Sequence, residues 1–553
     1  MRQGKAKIVT HKNISVSAIV FFILTYLYVV YASFSPAPYF DNWRLLRDES
    51  NFYSHFIVHN EHVINSIAAF SYVDSNFFFG LGLLQLLAIF FFLLSAIFLV
   101  FLGLDGFETN SLEKSLLCAP ILLSATQFTN ITWSFQVGFL GSFVSGCWAI
   151  YFLNRSSLSS RPWVWLLACW LCAIYASFSL ASGVLLLPIL AVMGLHQDVG
   201  RYAKIGFGTG YILLFVAMIF VTSDGSGGPH NLAAALVFGA TVVGSFFGSI
   251  VNYRYLTHFD YDQISVAISI LFGLVMAICA LIVVGKLIVD TLSRRVSKTE
   301  IWPMYCTIWL GLSAAAIGWG RSSLPLSEAI SSRYVTISCM LLCFIYISSL
   351  RAPILVWPSR WVSYLFVAIF GLSVAAQFDR MAQAEIAGRR FESAESALIN
   401  KTFDAPDINA LYPATMNDSA RQLTPIMEGK ALSVFSQRRS RLANTNLFSG
   451  QFRYEGDCKS GSYAITTQEG WYKVSGDLLP ETKSKTVVST DEAGKVLAVG
   501  TVRKPMIGIS SDGRDAGFVL VASRSRDLSA GAMNIMALDS ATNGVCFVAT
   551  VRW

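Results

Sequence analysis

Eleven runs of apolar residues, most of them close to twenty residues long, fill the first two thirds of this 553-residue chain. They fall near 14–34, 77–104, 115–129, 134–153, 163–180, 183–195, 203–222, 264–288, 301–319, 334–349 and 360–377. A helix of about 20 apolar residues crosses the ~30 Å hydrocarbon core of a bilayer. In lipid the backbone polar groups must be satisfied within the segment, which leaves helices or closed barrels. The pattern therefore predicts a polytopic α-helical membrane protein. Charged residues are only 14% of the chain, against roughly 25% in soluble domains. The net charge of +7 is then a matter of orientation, and no nucleic-acid partner is expected.

The basic start, MRQGKAKIVTHKN, leads into the first run with no small-residue cleavage site after it, so it reads as a retained anchor. A further stretch, NLAAALVFGATVVGSFFGSIV at 231–251, is rich in Gly, Ala and Ser and reads either as a span or as a re-entrant segment. With eleven spans and a cytoplasmic N-terminus, fifteen Lys and Arg of residues 1–377 lie inside and five outside. Counting 231–251 as a span would put TLSRRVSK outside, so the positive-inside rule favours eleven, with the C-terminus outside.

After Gln377 the composition changes. Residues 378–553 hold 21 of the 41 basic and 19 of the 34 acidic residues. The expected domains are a transmembrane domain, residues 1–377, with a long first outer loop 35–76, a helical connector 378–445, and an exported β-rich domain, residues 446–553. In the last, GSYAITT, GWYKVSGDL, KTVVST, KVLAVGTV, GFVLVAS and GVCFVATVRW alternate like the strands of a sandwich or jelly roll. Cys458 and Cys546 are the two cysteines of this tail, and a disulfide between them fits an oxidising compartment, although spacing does not establish their proximity. Trp471, Tyr472 and Phe518 read either as glycan-binding surface aromatics or as core.

Residues 39–64, YFDNWRLLRDESNFYSHFIVHNEHVI, gather charge where the first run ends. Asp41 sits at the membrane boundary, where partial desolvation would raise a carboxyl pKa and suit it to take a proton. It also stands where an N-cap of a following helix would stand. HNEH is expected within an apolar helix, SHFIVHNEHVINSIAAF, with His59 and His62 on one face and Glu61 elsewhere. The spacing does not match the HEXXH pattern of zinc hydrolases, so no metal site is expected. The imidazoles would bind phosphate or hydroxyls, or form a structural pair. Two later segments offer partners. SATQFTNITWSFQ brings Gln127, Asn130, Trp133 and Gln136 to the end of two runs, as sugar contacts or as an interfacial belt. GRSSLPLSEAISSRY supplies Arg321, Glu328, Arg333 and Tyr334, and an arginine fork matches phosphate oxygens. Tyr253, Arg254 and Tyr255, with His258, Asp260 and Asp262, would gate the same cleft.

FDNW…HNEH, then WSFQ, then SRY before a late run, then a β-rich tail, resembles the GT-C class of membrane glycosyltransferases, and within it the Gtr-like bacterial glucosyltransferases of O-antigen and other surface glycans. The resemblance implies an inverting transfer from a polyprenyl-phosphate-linked sugar to a glycan or lipid-linked acceptor, among the lipids of a bacterial inner membrane. Carried over, the loop carboxylate is Asp41. Many such enzymes have two adjacent acids there, but Asn42 follows here, which leaves Glu61 and then Asp48 as the second acid and weakens the case for a bound divalent metal, without excluding one. Arg333, Arg321, His59 and His62 would hold the donor phosphate. Trp43, Asn60, Trp133, Gln136, Glu328 and Tyr334 would face sugar or acceptor. The competing classes are a transporter or flippase and a polymerase or ligase of lipid-linked glycans. The first would be expected to carry ionisable residues in mid-membrane, and none of the fifteen acids of residues 1–377 lies inside an apolar run.

Overall fold

A computed structural model of the chain describes residues 2–48, 57–59, 62–104, 120–197, 200–222, 231–257, 262–293, 301–351, 359–413, 415, 417–442, 445–449, 451–458, 460–468, 471–478, 486–503, 517–523, 532–539 and 542–552. Chain contacts divide it into two compact units. The first comprises Met1–Tyr31, Ser50–Phe70 and Leu84–Met381; the second comprises Ala32–Glu49, Ser71–Leu83 and Ala382–Trp553.

The first unit is helical. Among the described residues, six helical stretches are long and apolar enough to cross a membrane: Val16–Ser33, Leu83–Leu104, Ser134–Ser156, Leu232–Ile250, Asp262–Asp290 and Ser332–Leu350. Five coincide with runs read from the sequence. The sixth is the 231–251 segment, which forms one unbroken helix with the Asn231 side chain capping the amides of Ala233 and Ala234. Of the other runs, Pro162–Ser177, Leu186–His196, Arg201–Thr222 and Trp302–Gly320 are also helical, and 360–377 is the first portion of a helix that continues to Ile399. The described portion of 115–129 is not one helix. Ser124 is extended there (φ −61°, ψ 128°) and caps a short 3-10 turn, Ala125–Gln127.

Glycines set how closely two of these helices approach. A Cβ on Gly244 would lie 1.9 Å from the Ser269 carbonyl oxygen, so Leu232–Ile250 and Asp262–Leu292 meet backbone to backbone. Small residues at such a crossing let dispersion contacts replace the hydrophobic drive that lipid removes.

The expected helix through HNEH is a correction. Val58–His59 (β1) and His62–Val63 (β2) form a two-stranded antiparallel hairpin, and His59 and His62 are paired in its register. The helix begins only at Asn65. The local chemistry explains this: Ile57, Val58, Val63 and Ile64 are β-branched and flank a two-residue Asn-Glu connection. The Ile64 amide donates to the Ile57 carbonyl at 2.8 Å, and the Asn65 side chain accepts the Ile57 amide at 3.1 Å.

The second unit is built around two sheets. One has the order β3-β11-β10-β6-β7, from Arg453–Asp457 (β3), Thr486–Thr490 (β6), Val496–Val499 (β7), Ala532–Asp539 (β10) and Gly544–Arg552 (β11). The other has the order β4-β5-β9-β8, from Ser460–Gln468 (β4), Trp471–Leu478 (β5), Thr501–Arg503 (β8) and Gly517–Ser523 (β9). All pairs are antiparallel except β3 with β11. Strand alternation builds two cores. Met533, Ile535 and Ala537 of β10 face one core with Tyr472, Phe518 and Leu520. Met536 and Leu538 of the same strand face the other, with Ala394, Ala397 and Leu398 of the long helix. A strand buried on both faces reads as a continuous apolar run, not an alternating one.

KVLAVGTV, read as one strand, is two. It divides at Gly500, where a Cβ would lie 2.2 Å from the Val519 carbonyl oxygen, and its halves join different sheets. Trp471, Tyr472 and Phe518 are buried core residues. Cys458 and Cys546 are joined in a disulfide.

Candidate functional site

In the first unit, two segments far apart in sequence are stitched together by polar groups. The turns of 124–136 pack on the 3-10 turn Ser332–Tyr334 that opens the helix Val335–Arg351. The Asn130 side-chain amide donates to the Arg333 carbonyl at 2.9 Å and to Thr336 Oγ1 at 2.7 Å. The Thr129 amide donates to Ser332 Oγ at 3.0 Å. Thr336 donates in turn to Gln127 Oε1. Gln377, from the long helix, closes the network. Its amide donates to Ser124 Oγ at 3.2 Å, and its oxygen accepts from the Ala125 amide at 3.1 Å and from Thr25 Oγ1 at 3.3 Å. Asn130 and Gln377 are fully buried. In low dielectric such bonds are strengthened and their loss is costly.

The network fixes the backbone of Arg333, and its side chain turns outward. The guanidinium reaches Glu328 Oε2 at 3.3 Å, and its carbon lies 5.0 Å from the centre of the Tyr334 ring. Arg333 Nε is buried and has no hydrogen-bond partner, and neither has Asn130 Oδ1 nor Gln136 Oε1. Such orphaned groups are unusual, since most buried polar atoms are paired. A partly exposed guanidinium at the start of an apolar helix can donate to an oxyanion. Glu328 is exposed and Arg321 is half-buried at the end of Trp302–Gly320. Trp133, Gln136 and Tyr334 are buried, with the Trp133 ring stacked on Phe135 at 5.5 Å.

A buried charge pair, which the sequence patterns do not reveal, sits just beyond the last apolar run. Arg380 donates to the carbonyls of Ser249 (3.5 Å) and Asn252 (3.2 Å) and pairs with Asp379 at 3.7 Å. The Tyr255 amide donates to Asp379 Oδ1 at 2.8 Å. Burial pulls the Arg380 guanidinium below its ordinary pKa, against the opposing pull of Asp379. Tyr253, beside this pair, is pushed up by burial and then by the charge of Asp379. The 252–257 turn is therefore clamped to the long helix. Asp262 reaches Arg254 at 3.9 Å, and His258 and Asp260 lie outside the described residues.

Asp41 belongs to the second unit. It precedes the helix Asn42–Asp48, in a tight turn where Phe40 takes a left-handed φ of 46° and its amide donates to the Leu411 carbonyl at 2.7 Å. Tyr39 is pushed up to about 12, by burial first and by the Asp41 charge second. Trp43 is 1% exposed and meets Tyr412 edge-on at 5.1 Å, so it is a core side chain of this unit. Asp74 is buried and accepts the Gly82 amide at 2.7 Å, a structural use for one carboxylate of the loop cluster. Of His59 and His62 only the backbone is described, and Asn60 and Glu61 lie outside the described residues. Among the described residues no group of three or more His, Cys, Asp or Glu could hold a metal ion.

No family model matches the chain, and no curated protein matches it. Among solved structures, the archaeal oligosaccharyltransferase AglB from Archaeoglobus fulgidus, in complex with an inhibitory peptide and a dolichol-phosphate, aligns with a TM-score of 0.35 at 12% identity. The alignment covers 73% of this chain and 60% of that one, so the chain spans less than two thirds of the enzyme's length. A likeness this loose assigns neither family nor activity.

Proposed function

We propose that the protein is a membrane glycosyltransferase that moves a sugar from a polyprenyl-phosphate donor to a hydroxyl of a surface glycan or lipid-linked acceptor, at the outer face of a bacterial inner membrane. The observation that carries the reading is Arg333. Its backbone is held by Asn130, its guanidinium is partly exposed, and its Nε–H is unused. Such a group suits the phosphate of a lipid headgroup. In the proposed reaction the acceptor oxygen bonds to the anomeric carbon as the bond from that carbon to the phosphate oxygen breaks, with inversion. Asp41 takes the acceptor proton as general base. Arg333 and Arg321, with His59 or His62, stabilise the charge that develops on the leaving phosphate. Glu61 is the proposed second acid, and its negative charge would favour an oxocarbenium-like transition state.

The test uses purified protein in lipid nanodiscs with a panel of polyprenyl-phosphate sugars and membrane extract as acceptor. Asp41→Asn should remove transfer at least a hundredfold while donor binding persists, the scale of losing general base catalysis. Arg333→Ala should raise the KM for donor more than it lowers kcat. Undiminished transfer by Asp41→Asn at normal protein levels removes Asp41 from the mechanism. Unchanged surface glycans after deletion of the gene, with no accumulation of lipid-linked donor, refute the transferase reading.

A further inference from the structure

The second unit contains a cavity of about 420 Å³, within the range of about 300–1,000 Å³ typical of small-molecule sites. Its polar lining comes from Glu392, Glu395, Gln437, Arg439, Thr486 and Thr501, and Phe34 and Leu538 supply apolar wall. Helical spacing puts Glu392 and Glu395 three apart, on one face of Ser359–Ile399. Ala394, Ala397 and Leu398 of the same stretch turn into the hydrophobic core, which leaves the carboxylate face to the cavity.

The charges in this lining are already organised. The Glu395 carboxylate is 3% exposed and pairs with Arg439. Its other oxygen accepts from Ser35 Oγ at 2.7 Å. Arg439 Nε donates to Gln437 Oε1 at 2.6 Å, so the Gln437 amide N–H groups remain to be offered. An anionic ligand would have to compete with Glu395 for the guanidinium and would face a second carboxylate, Glu392. A phosphate or acidic sugar is therefore disfavoured. Thr501 Oγ1 is buried in the wall with no hydrogen-bond partner, a state that buried hydroxyls rarely keep. Carboxylate acceptors, an amide donor, an orphaned hydroxyl and an aromatic edge together match a ligand with many hydroxyls and apolar C–H faces.

We infer that this cavity binds a neutral saccharide unit. That it serves as the acceptor pocket rests on the glycosyl-transfer reading; that it binds sugar does not.

Saturation-transfer NMR on the full chain in nanodiscs tests this, with the methyl glycosides of glucose, galactose, mannose and N-acetylglucosamine, and with glucuronate and inorganic phosphate as anionic probes. At least one neutral glycoside should bind, with neither anion competing. Gln437→Trp, which fills the cavity and leaves Arg439 Nε unpaired, should abolish binding while the protein, at a somewhat lowered melting temperature, stays folded. Thr501→Val should weaken it about tenfold, the size of one lost hydrogen bond. Absence of binding by every neutral glycoside overturns the inference, as does wild-type affinity in both variants or preferential binding of phosphate. Normal sugar binding in a protein that transfers no sugar leaves the pocket standing and removes the transferase reading.

Discussion

Arg380 and Arg333 are both arginines near the ends of apolar runs, and their surroundings give them opposite roles. Arg380 is buried and spends its donors on two backbone carbonyls and on Asp379. Removing one partner of such a pair strands the other in low dielectric, which costs about 3–5 kcal/mol. Arg380→Ala is therefore expected to lower stability by that order, read as a fall in the thermal transition in detergent. Arg380→Lys should recover only part of it, because an ammonium lacks the planar fork. Arg333 keeps a partly exposed guanidinium and an unpaired Nε. Asn130→Ala takes away two bonds that hold its backbone, about 1–3 kcal/mol of local stabilisation. The expected kinetic consequence is a raised donor KM with kcat nearly preserved, recovered in part by Asn130→Gln. A purely structural asparagine would instead lower yield and leave the KM of the surviving protein unchanged.

At the scale of elements, two glycines explain features that residue patterns leave ambiguous. Gly244 permits the close crossing of Leu232–Ile250 with Asp262–Leu292. Gly244→Val would drive a branched side chain into the Ser269 carbonyl, and neither helix can yield without losing its neighbours. The expected result is a large loss of folded protein after detergent extraction; wild-type recovery would show that the two helices do not pack this closely. Gly500 does the same for strands, letting β7 and β8 leave one sheet and enter the other. The disulfide ties Cys458, just after β3, to β11 across 88 residues. Cross-linking so long a segment restricts the unfolded chain and contributes about 2–5 kcal/mol. The double variant Cys458→Ser, Cys546→Ser should lower stability by that amount, and the wild-type protein should shift on gels only when reduced.

Across the whole molecule, the features legible in the sequence are those governed by period and composition. Runs of apolar residues mark the helices, and GFVLVAS coincides with β9. β10 escapes a sequence reading because AMNIMALD is rich in Ala, Met and Leu, good helix formers whose preference yields to pairing with β6 and β11. HNEH misleads because helical spacing alone ignores a β-branched flank. The candidate site is legible as residue types: WSFQ and SRY stand out, and the structure joins their segments through Asn130 and Thr129. The partners that complete that junction, Thr25 and Gln377, are 352 residues apart and give no local sign. Sequence by itself determined what each segment can become, since helix, strand and turn follow from neighbours a few residues apart. Only the tertiary structure decided which buried polar groups are paired and which, like Arg333 Nε and Thr501 Oγ1, are left unpaired. That depends on atoms brought together by the fold, and no short-range pattern encodes it.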